Sequence, residues 1–347
     1  MPSLLHPLDM LIEETLAAAR GGDETAFARL VAPHRNELRA LCYRMAASLH
    51  DADDLLQESL VRAWRGLGAF EGRSSVRTWL YRVTTNACLD VLGSRAARSL
   101  PTELGPPAGA DRPIGPPRTD LPWLEPCPDE LLDVAPSPEA RYTQRESVAL
   151  AFLVAVQLLP PKQRAVLILR DVVGWQASEC AELLDLSVTA VNSALQRARE
   201  TLAARALGGR DRATEERFED AKTQALLARY VAAWETADVN ALVALLHDDA
   251  TLAMPPLAEW LRGAQAIGAA IAAMLFGPAG AGAFTLVPAR ANGMPALAGY
   301  QRDRATGGWQ PMALHLFEIR DDRLAAITAF LDARLFAPFH LPPTPAG

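Results

Sequence analysis

Apolar positions recur at helical spacing through residues 24–98. Phe27, Leu30, Leu38, Leu41, Met45, Leu55, Leu56, Leu60 and Trp64 fall at core-compatible intervals and predict helices almost throughout. Within 51–64, DADDLLQESLVRAW, one face carries Leu55, Leu56, Leu60, Ala63 and Trp64, and the other Asp53, Asp54, Gln57, Glu58, Arg62 and Arg65. The pattern lapses over 101–138, which holds eleven prolines and several glycines and predicts an extended linker unable to pack a core. Trp123-Leu124 and Leu131-Leu132 are apolar anchors that a fully solvated linker would not need. Helical spacing resumes near Pro138 and runs to about Leu207, and a charged bridge, GGRDRATEERFEDAK, follows. Phe218 to Leu246 then reads as two helices and Leu261 to Leu275 as a third. Strands are predicted over Phe284–Ala289, Ala296–Arg302, Gln310–Arg320 and Leu324–Asp332, the last two joined by an Asp321-Asp322 hairpin turn. Helices followed by an antiparallel meander predict an α+β cone, with helices covering a curved sheet.

Residues 159–202 carry the sharpest local signal. Pro160 and Pro161 can start a helix but cannot sit inside one, and Gly174 ends it. A second helix from Ser178 places Cys180, Ala181, Leu183 and Leu184 inward. The tight turn falls at Asp185-Leu186, where Asp tolerates a left-handed backbone, and Ser187 is a good N-cap for the last helix. Val188, Val191, Ala194, Leu195, Ala198 and Leu202 form the packing face of that helix. Thr189, Asn192, Ser193, Gln196, Arg197 and Arg199 are left outward. This is a helix-turn-helix, and its outward set suits a major groove: Asn and Gln pair bidentately with adenine, Arg with guanine or phosphate.

A net charge of −7 argues at first against nucleic acid, but the charge is segregated. Residues 20–100 carry 12 Arg/Lys against 9 Asp/Glu, and 141–210 carry 9 against 6. Residues 99–140 carry 2 against 8, and the tail from 211 carries 11 against 15. Two modestly basic modules are thus separated and followed by acidic ones, which implies weak DNA binding without a larger partner. Cys42, Cys88, Cys127 and Cys180 are scattered without CxxC pairs and read as reduced intracellular thiols; neither a metal site nor a cofactor is expected. No apolar run reaches membrane-spanning length and the start lacks a positive n-region, so a cytoplasmic protein with no membrane partner is expected.

From Arg62 to Arg98 there are seven arginines and two acids, interleaved with Trp79 and Tyr81. Arginines neutralise phosphates and aromatic faces accept unstacked bases, a composition suited to single-stranded nucleic acid. Trp79 serves equally as a core residue or a base contact on this evidence.

With both modules in view, the chain resembles the bacterial sigma-70 family, specifically its extracytoplasmic-function (ECF) group. DADDLLQESLVRAW with SSVRTWLYRVTTNACLD is similar to sigma domain 2, and LPPKQRAVLILRDVVGW with SALQRAR to domain 4. The resemblance implies domain 2 over 1–100, the linker over 101–138, and domain 4 over 139–208. Residues 215–340 resemble a SnoaL-like cone domain, through ANGMPALAGY and HLFEIRDDRLAAITAFLD. The implied fold is multi-domain: two all-α sigma domains, the second with the helix-turn-helix, plus an α+β SnoaL-like cone.

Its implied function is to direct RNA polymerase core to promoter DNA and initiate transcription, without catalysis of its own. Asp53, Asp54, Leu55, Leu56, Gln57, Glu58 and Arg62 would dock on the beta-prime clamp helices, with a second contact to the beta flap. Arg77, Trp79, Tyr81, Arg82, Asn86 and Asp90 would melt and read the −10 element. Thr189, Asn192, Ser193, Gln196, Arg197 and Arg199 would read the −35 element. At Gly93-Ser94 the chain departs from relatives that carry arginines there. Trp123-Leu124-Glu125-Pro126 resembles a linker motif of ECF sigma factors with such a tail, and the tail would then modulate activity in cis through intramolecular contacts with the sigma domains.

Cone folds often enclose a pocket, and His247, Asp248, Asp249, His315 and Asp332 are its candidate polar groups among apolar Trp234, Met254, Trp260 and Phe317. His247-Asp248-Asp249 is expected in a loop that ends a helix. Two alternatives remain at this level: a helix-turn-helix regulator with a ligand-sensing tail, and an isomerase, cyclase or hydrolase fused to a DNA-binding module.

Overall fold

Short polar side chains start most of the N-terminal helices. In the computed structural model, which describes residues 7–109, 114–131, 149–206 and 221–345, the first elements are α1 (Pro7–Arg20) and α2 (Glu24–Val31). The Asp23 carboxylate caps α2 by accepting from the Thr25 and Ala26 amides at 2.8 and 3.0 Å. The next helix, α3 (Arg35–Ala46), stops at Ala47, whose left-handed φ of 53° lets Ser48 turn outward and cap α4 (Leu49–Gly66) through the Asp51 amide. Ser75 does the same for α5 (Val76–Leu92). Leu38, Leu41, Met45, Leu55, Leu56 and Leu80 fill the space between α3, α4 and α5. Phe27 meets Trp64 edge-on at 5.1 Å and Phe70 meets Trp79 at 5.0 Å, contacts each worth ~0.5–1.5 kcal/mol beyond area burial.

A second helical group follows: α6 (Leu150–Gln157), α7 (Pro161–Leu167), α8 (Ala177–Leu184) and α9 (Val188–Ala206). Proline at the first turn of α7 costs no hydrogen bond, because that amide has no partner in any helix. The helix widens into a π turn over Ile168–Val172 and ends at Gly174, φ 82°, as glycine chemistry predicts. Gln176 and Glu179 form a capping box at the start of α8, one residue before the expected Ser178. Asp185 adopts the left-handed turn (φ 53°, ψ 54°) and Ser187 Oγ caps α9 at Ala190. Val191, Ala194, Leu195 and Ala198 are buried as the periodicity predicts. Two depart from it: Leu202 is half-buried, and Val188, in the first turn, is 46% exposed.

The described residues fall into two compact units, one holding α1–α5 with 155–205, the other holding 97–130, 149–154 and the C-terminal region. In the second unit, α10 (Ala221–Glu235), α11 (Val239–Leu245) and α12 (Ala264–Ile271) cover one face of a six-stranded sheet in the order β2-β1-β6-β5-β4-β3. Its strands are β1 (Leu246–Ala253), β2 (Trp260–Arg262), β3 (Phe284–Ala291), β4 (Met294–Arg302), β5 (Trp309–Arg320) and β6 (Arg323–Phe330). The last four match the expected meander, and β1 and β2 extend it beyond β6, with β1 parallel to β6. His247-Asp248-Asp249 therefore lies on a strand rather than in a loop. Its exposed polar triplet masks the strand alternation, which becomes visible only from Ala250 onward.

The proline-rich segment also differs from expectation. It forms little regular structure, yet it is strapped to the cone domain rather than left free. Ala108 and Arg118 amides donate to the carbonyls of Trp260 (2.7 Å) and Pro256 (2.8 Å), and the Gly115 amide donates to Glu259 at 3.0 Å. Cys127 and Asn292 exchange two bonds: the Cys127 amide donates to Asn292 Oδ1 at 2.9 Å, and the Asn292 amide to the Cys127 carbonyl at 3.0 Å. Leu124 and Cys127 are almost wholly buried, while Leu132 lies outside the described residues. Prolines prevent the segment from building its own ladder, but its remaining amides pair with a scaffold that already exists. Substituting Asn292→Ala leaves the buried Cys127 amide without its acceptor, at a cost of about 1–3 kcal/mol. Amide hydrogen exchange should accelerate at 123–129 while α7–α9 keep their protection; unchanged exchange at Cys127 would remove this bond from the account.

Candidate polymerase and nucleic-acid interface

Three surfaces carry the charged and polar residues singled out above. The first is a groove of about 710 Å³ between α2, α3 and α4. Phe27, Leu56, Leu60, Val61 and Trp64 line its floor; Arg35, Arg39, Asp53 and Gln57 line its rim. Arg39 grips Asp53 bidentately, at 2.5 and 2.7 Å, and so fixes the rim charge. Val61 is 37% exposed, an unusual position for a large apolar side chain in the middle of a helix. Asp54, Gln57 and Glu58 are exposed beside it, whereas Leu55 is core and contributes no surface. Arg62 bonds Glu58 at 2.8 Å and reaches Asp90 of α5 at 2.6 Å.

On α5 the expected −10 residues divide between two faces. Arg82, Asn86 and Asp90, spaced by four, form an exposed stripe. Arg77 and Tyr81, also spaced by four, turn toward α3. Trp79 is half-buried and packs on Phe70 and on the cluster around Leu30 and Leu67. Tyr81 is 2% exposed and its hydroxyl donates to Glu37 at 3.2 Å. Burial, then the neighbouring Glu37 charge, raise its pKa well above the ordinary phenol value. Its ring lies 5.0 Å from that of Trp175, which follows Gly174 in the second helical group.

Arg164 of α7 ties the same two groups together. It is 5% exposed and donates to the Met45 carbonyl of α3, to Gln157 Oε1 (2.9 Å), and to the carbonyls of Gln157 (3.0 Å) and Leu159 (3.2 Å). Burial lowers its pKa to about 10, and it remains a cation at neutral pH. Glu37, Arg164 and Trp175 were not singled out from sequence, since no periodicity links residues so far apart. A buried Arg in an apolar run was the only available hint.

The third surface is α9. Thr189, Asn192, Gln196, Arg197 and Arg199 are exposed and Ser193 half-buried, all on the side away from Val191, Leu195 and Ala198. Arg199 is held bidentately by Asp171 at 2.7 and 2.9 Å, and Gln196 donates to Glu200 at 2.9 Å.

Comparison with known proteins matches residues 30–98 to sigma-70 region 2, 149–202 to sigma-70 region 4 and 227–327 to a SnoaL-like domain. The chain is 44% identical over 343 residues to the ECF RNA polymerase sigma factor SigG of Mycobacterium tuberculosis, covering 96% of this chain and 90% of that protein. The chain belongs to the ECF RNA polymerase sigma factors. SigM, another ECF sigma factor of the same organism, is 33% identical over 190 residues, 55% of this chain and 82% of its own. The crystal structure of the M. tuberculosis ECF sigma factor SigJ shares the fold, with a TM-score of 0.57 at 23% identity over 92% of this chain and 99% of that one. Among the described residues no helix is long and apolar enough to cross a membrane, and no group of three His, Cys, Asp or Glu could hold a metal ion.

In this sigma factor the polar candidates of the SnoaL-like domain are dispersed. His247 and Asp249 are 2.6 Å apart and share Arg320 at the sheet surface. Asp332 caps the turn at Arg334. His315 alone enters the core. It is 2% exposed, with Nδ1 2.9 Å from the Tyr230 hydroxyl and the rings of Trp234 and Phe317 close by. Burial lowers its pKa from 6.5 to about 4, so the folded domain holds a neutral imidazole. Above pH 6.5 this group contributes no pH dependence; between 6.5 and about 4 the unfolded chain takes up a proton that the folded one refuses. The His315 contribution should lower stability across that window by on the order of 3 kcal/mol and change no further below it. Thermal unfolding of His315→Gln should lack this component; an identical acid slope in the variant would assign it elsewhere.

Proposed function

We propose that this ECF sigma factor divides promoter recognition among the three surfaces. The groove of α2–α4 takes the beta-prime clamp helices of polymerase core: an apolar floor with a charged rim fits one face of an amphipathic helix. The stripe Arg82, Asn86 and Asp90 lies against the melted −10 strand, with Trp79 and the Arg77–Tyr81 pair behind it. The α9 face enters the major groove at the −35 element, and its docking to the beta flap completes the grip. The observation that carries the reading is the segregation of α9, where Thr189, Asn192, Gln196, Arg197 and Arg199 are exposed while Val191, Ala194, Leu195 and Ala198 are buried. Tyr81 can reach a base only after Trp175 leaves it, so the described arrangement is the form that precedes promoter contact.

The SnoaL-like tail acts in cis and without chemistry of its own. Support comes from the linker, which is hydrogen-bonded to the tail along residues 105–129 and must move with it. The His247–Asp249 pair lies at the sheet surface, and His315 is buried, neutral and bonded to the Tyr230 hydroxyl rather than to a carboxylate.

Run-off transcription with purified core polymerase tests the whole reading: core plus this chain should initiate at discrete promoters, and failure to initiate anywhere on source-genome fragments would refute it. Arg197→Ala should cost ~1–3 kcal/mol at the −35 element, seen as a weaker preference for intact over −35-mutated promoters. Removing 221–347 should alter the amount of transcript while leaving promoter choice unchanged, and a changed consensus would contradict a cis-acting tail.

A further inference from the structure

Glu37 gathers more polar contacts than any surface role on α3 requires. Its Oε2 accepts from Arg77 NH2 at 2.8 Å, from Arg77 Nε at 2.9 Å and from the Tyr81 hydroxyl at 3.2 Å. Its Oε1 lies 2.7 Å from His34 Nδ1 and 3.1 Å from Arg77 Nε. The carboxylate is 16% exposed, and Arg77 is 42% exposed and opens to solvent on its far side. The Arg77 guanidinium also lies 4.9 Å from the centre of the Tyr81 ring. A planar fork filled by a carboxylate has the geometry in which the same fork would take a phosphate, so the two acceptors compete for one guanidinium.

We propose that Glu37 is a positioning residue that occupies Arg77 as an internal substitute for phosphate, keeping it off the DNA backbone and on Tyr81. The proposal rests on the reading that α5 faces the −10 strand. On that view Arg82 makes the phosphate contact of this helix and Arg77 orients the aromatic ring. The partly buried pair is desolvated and resists salt, whereas a strand phosphate carries counterions that salt favours. Glu37 thereby sets the single-strand affinity of the helix below what its arginine content would give.

The test is the salt dependence of binding between holoenzyme, assembled from core polymerase and the full chain, and a mixed-sequence single-stranded oligonucleotide. Each phosphate contact on a single strand changes the slope of log K against log salt by about 0.7. Glu37→Gln should steepen the slope by about 0.7, and Glu37→Gln combined with Arg77→Ala should return it to the wild-type value. Arg77→Ala alone should leave the slope unchanged. A slope shallower by about 0.7 in Arg77→Ala alone would show Arg77 already on phosphate and overturn the proposal, and this measurement stands even if Glu37→Gln fails to fold. An unchanged slope in folded Glu37→Gln overturns it too. Arg82→Ala separates the two levels: a shallower slope there with no gain in Glu37→Gln sinks the Glu37 role alone, whereas no effect from any of the three removes α5 from the strand.

Discussion

Arg164 sits where the C-terminal ends of two helices converge, and the arrangement of the sigma unit depends on that meeting. The last carbonyls of α3 and of α6 have no intrahelical donors, and each helix end carries partial negative charge. A guanidinium spreads its charge over several N–H groups, so one side chain can satisfy both ends together. Among the described residues no carboxylate is a hydrogen-bond partner of Arg164. The charge is held by backbone dipoles instead, which makes its stability dependent on geometry: shift either helix end and a buried cation loses its solvation.

That dependence explains why Trp175 can be placed with such definition on Tyr81. Pro161 starts α7, Arg164 fixes it against α3, and the π turn with Gly174 then swings Trp175 across. Tyr81 is the matching half of this contact, held in turn by Glu37 of α3 and Arg77 of α5. Polar anchoring on one side and aromatic packing on the other give two separable sources of energy for the packing of the two helical groups. Neither source involves the exposed polar face of α9.

Much of this was legible in the residues themselves. The helix-turn-helix could be read because its turn uses local chemistry: Asp185 in the left-handed region, Ser187 as cap, Gly174 as stop. The α4 and α9 faces could be read because helical periodicity separates them. Tyr81 and Trp79 resisted, since an aromatic among arginines has the same composition whether it meets a base or a neighbouring ring. Proline content predicts that 101–138 builds no core of its own, but composition is silent about docking onto a surface made elsewhere. The strand at 246–253 was hidden because Asp248 and Asp249 are exposed in succession, which breaks the two-residue rhythm.

The strap between linker and cone has a consequence in time. Its bond between Cys127 and Asn292 spans 165 residues, across the whole of the second sigma module. Chains emerge from the ribosome at ~5–20 residues per second and fold domain by domain from the N-terminus, so the linker waits about 10–30 s for its partner strands to exist. The second sigma module is made during that interval, while Cys127 still lacks its Asn292 partner. Every newly made molecule therefore passes through a stage in which the linker is complete and the sheet it docks on is not.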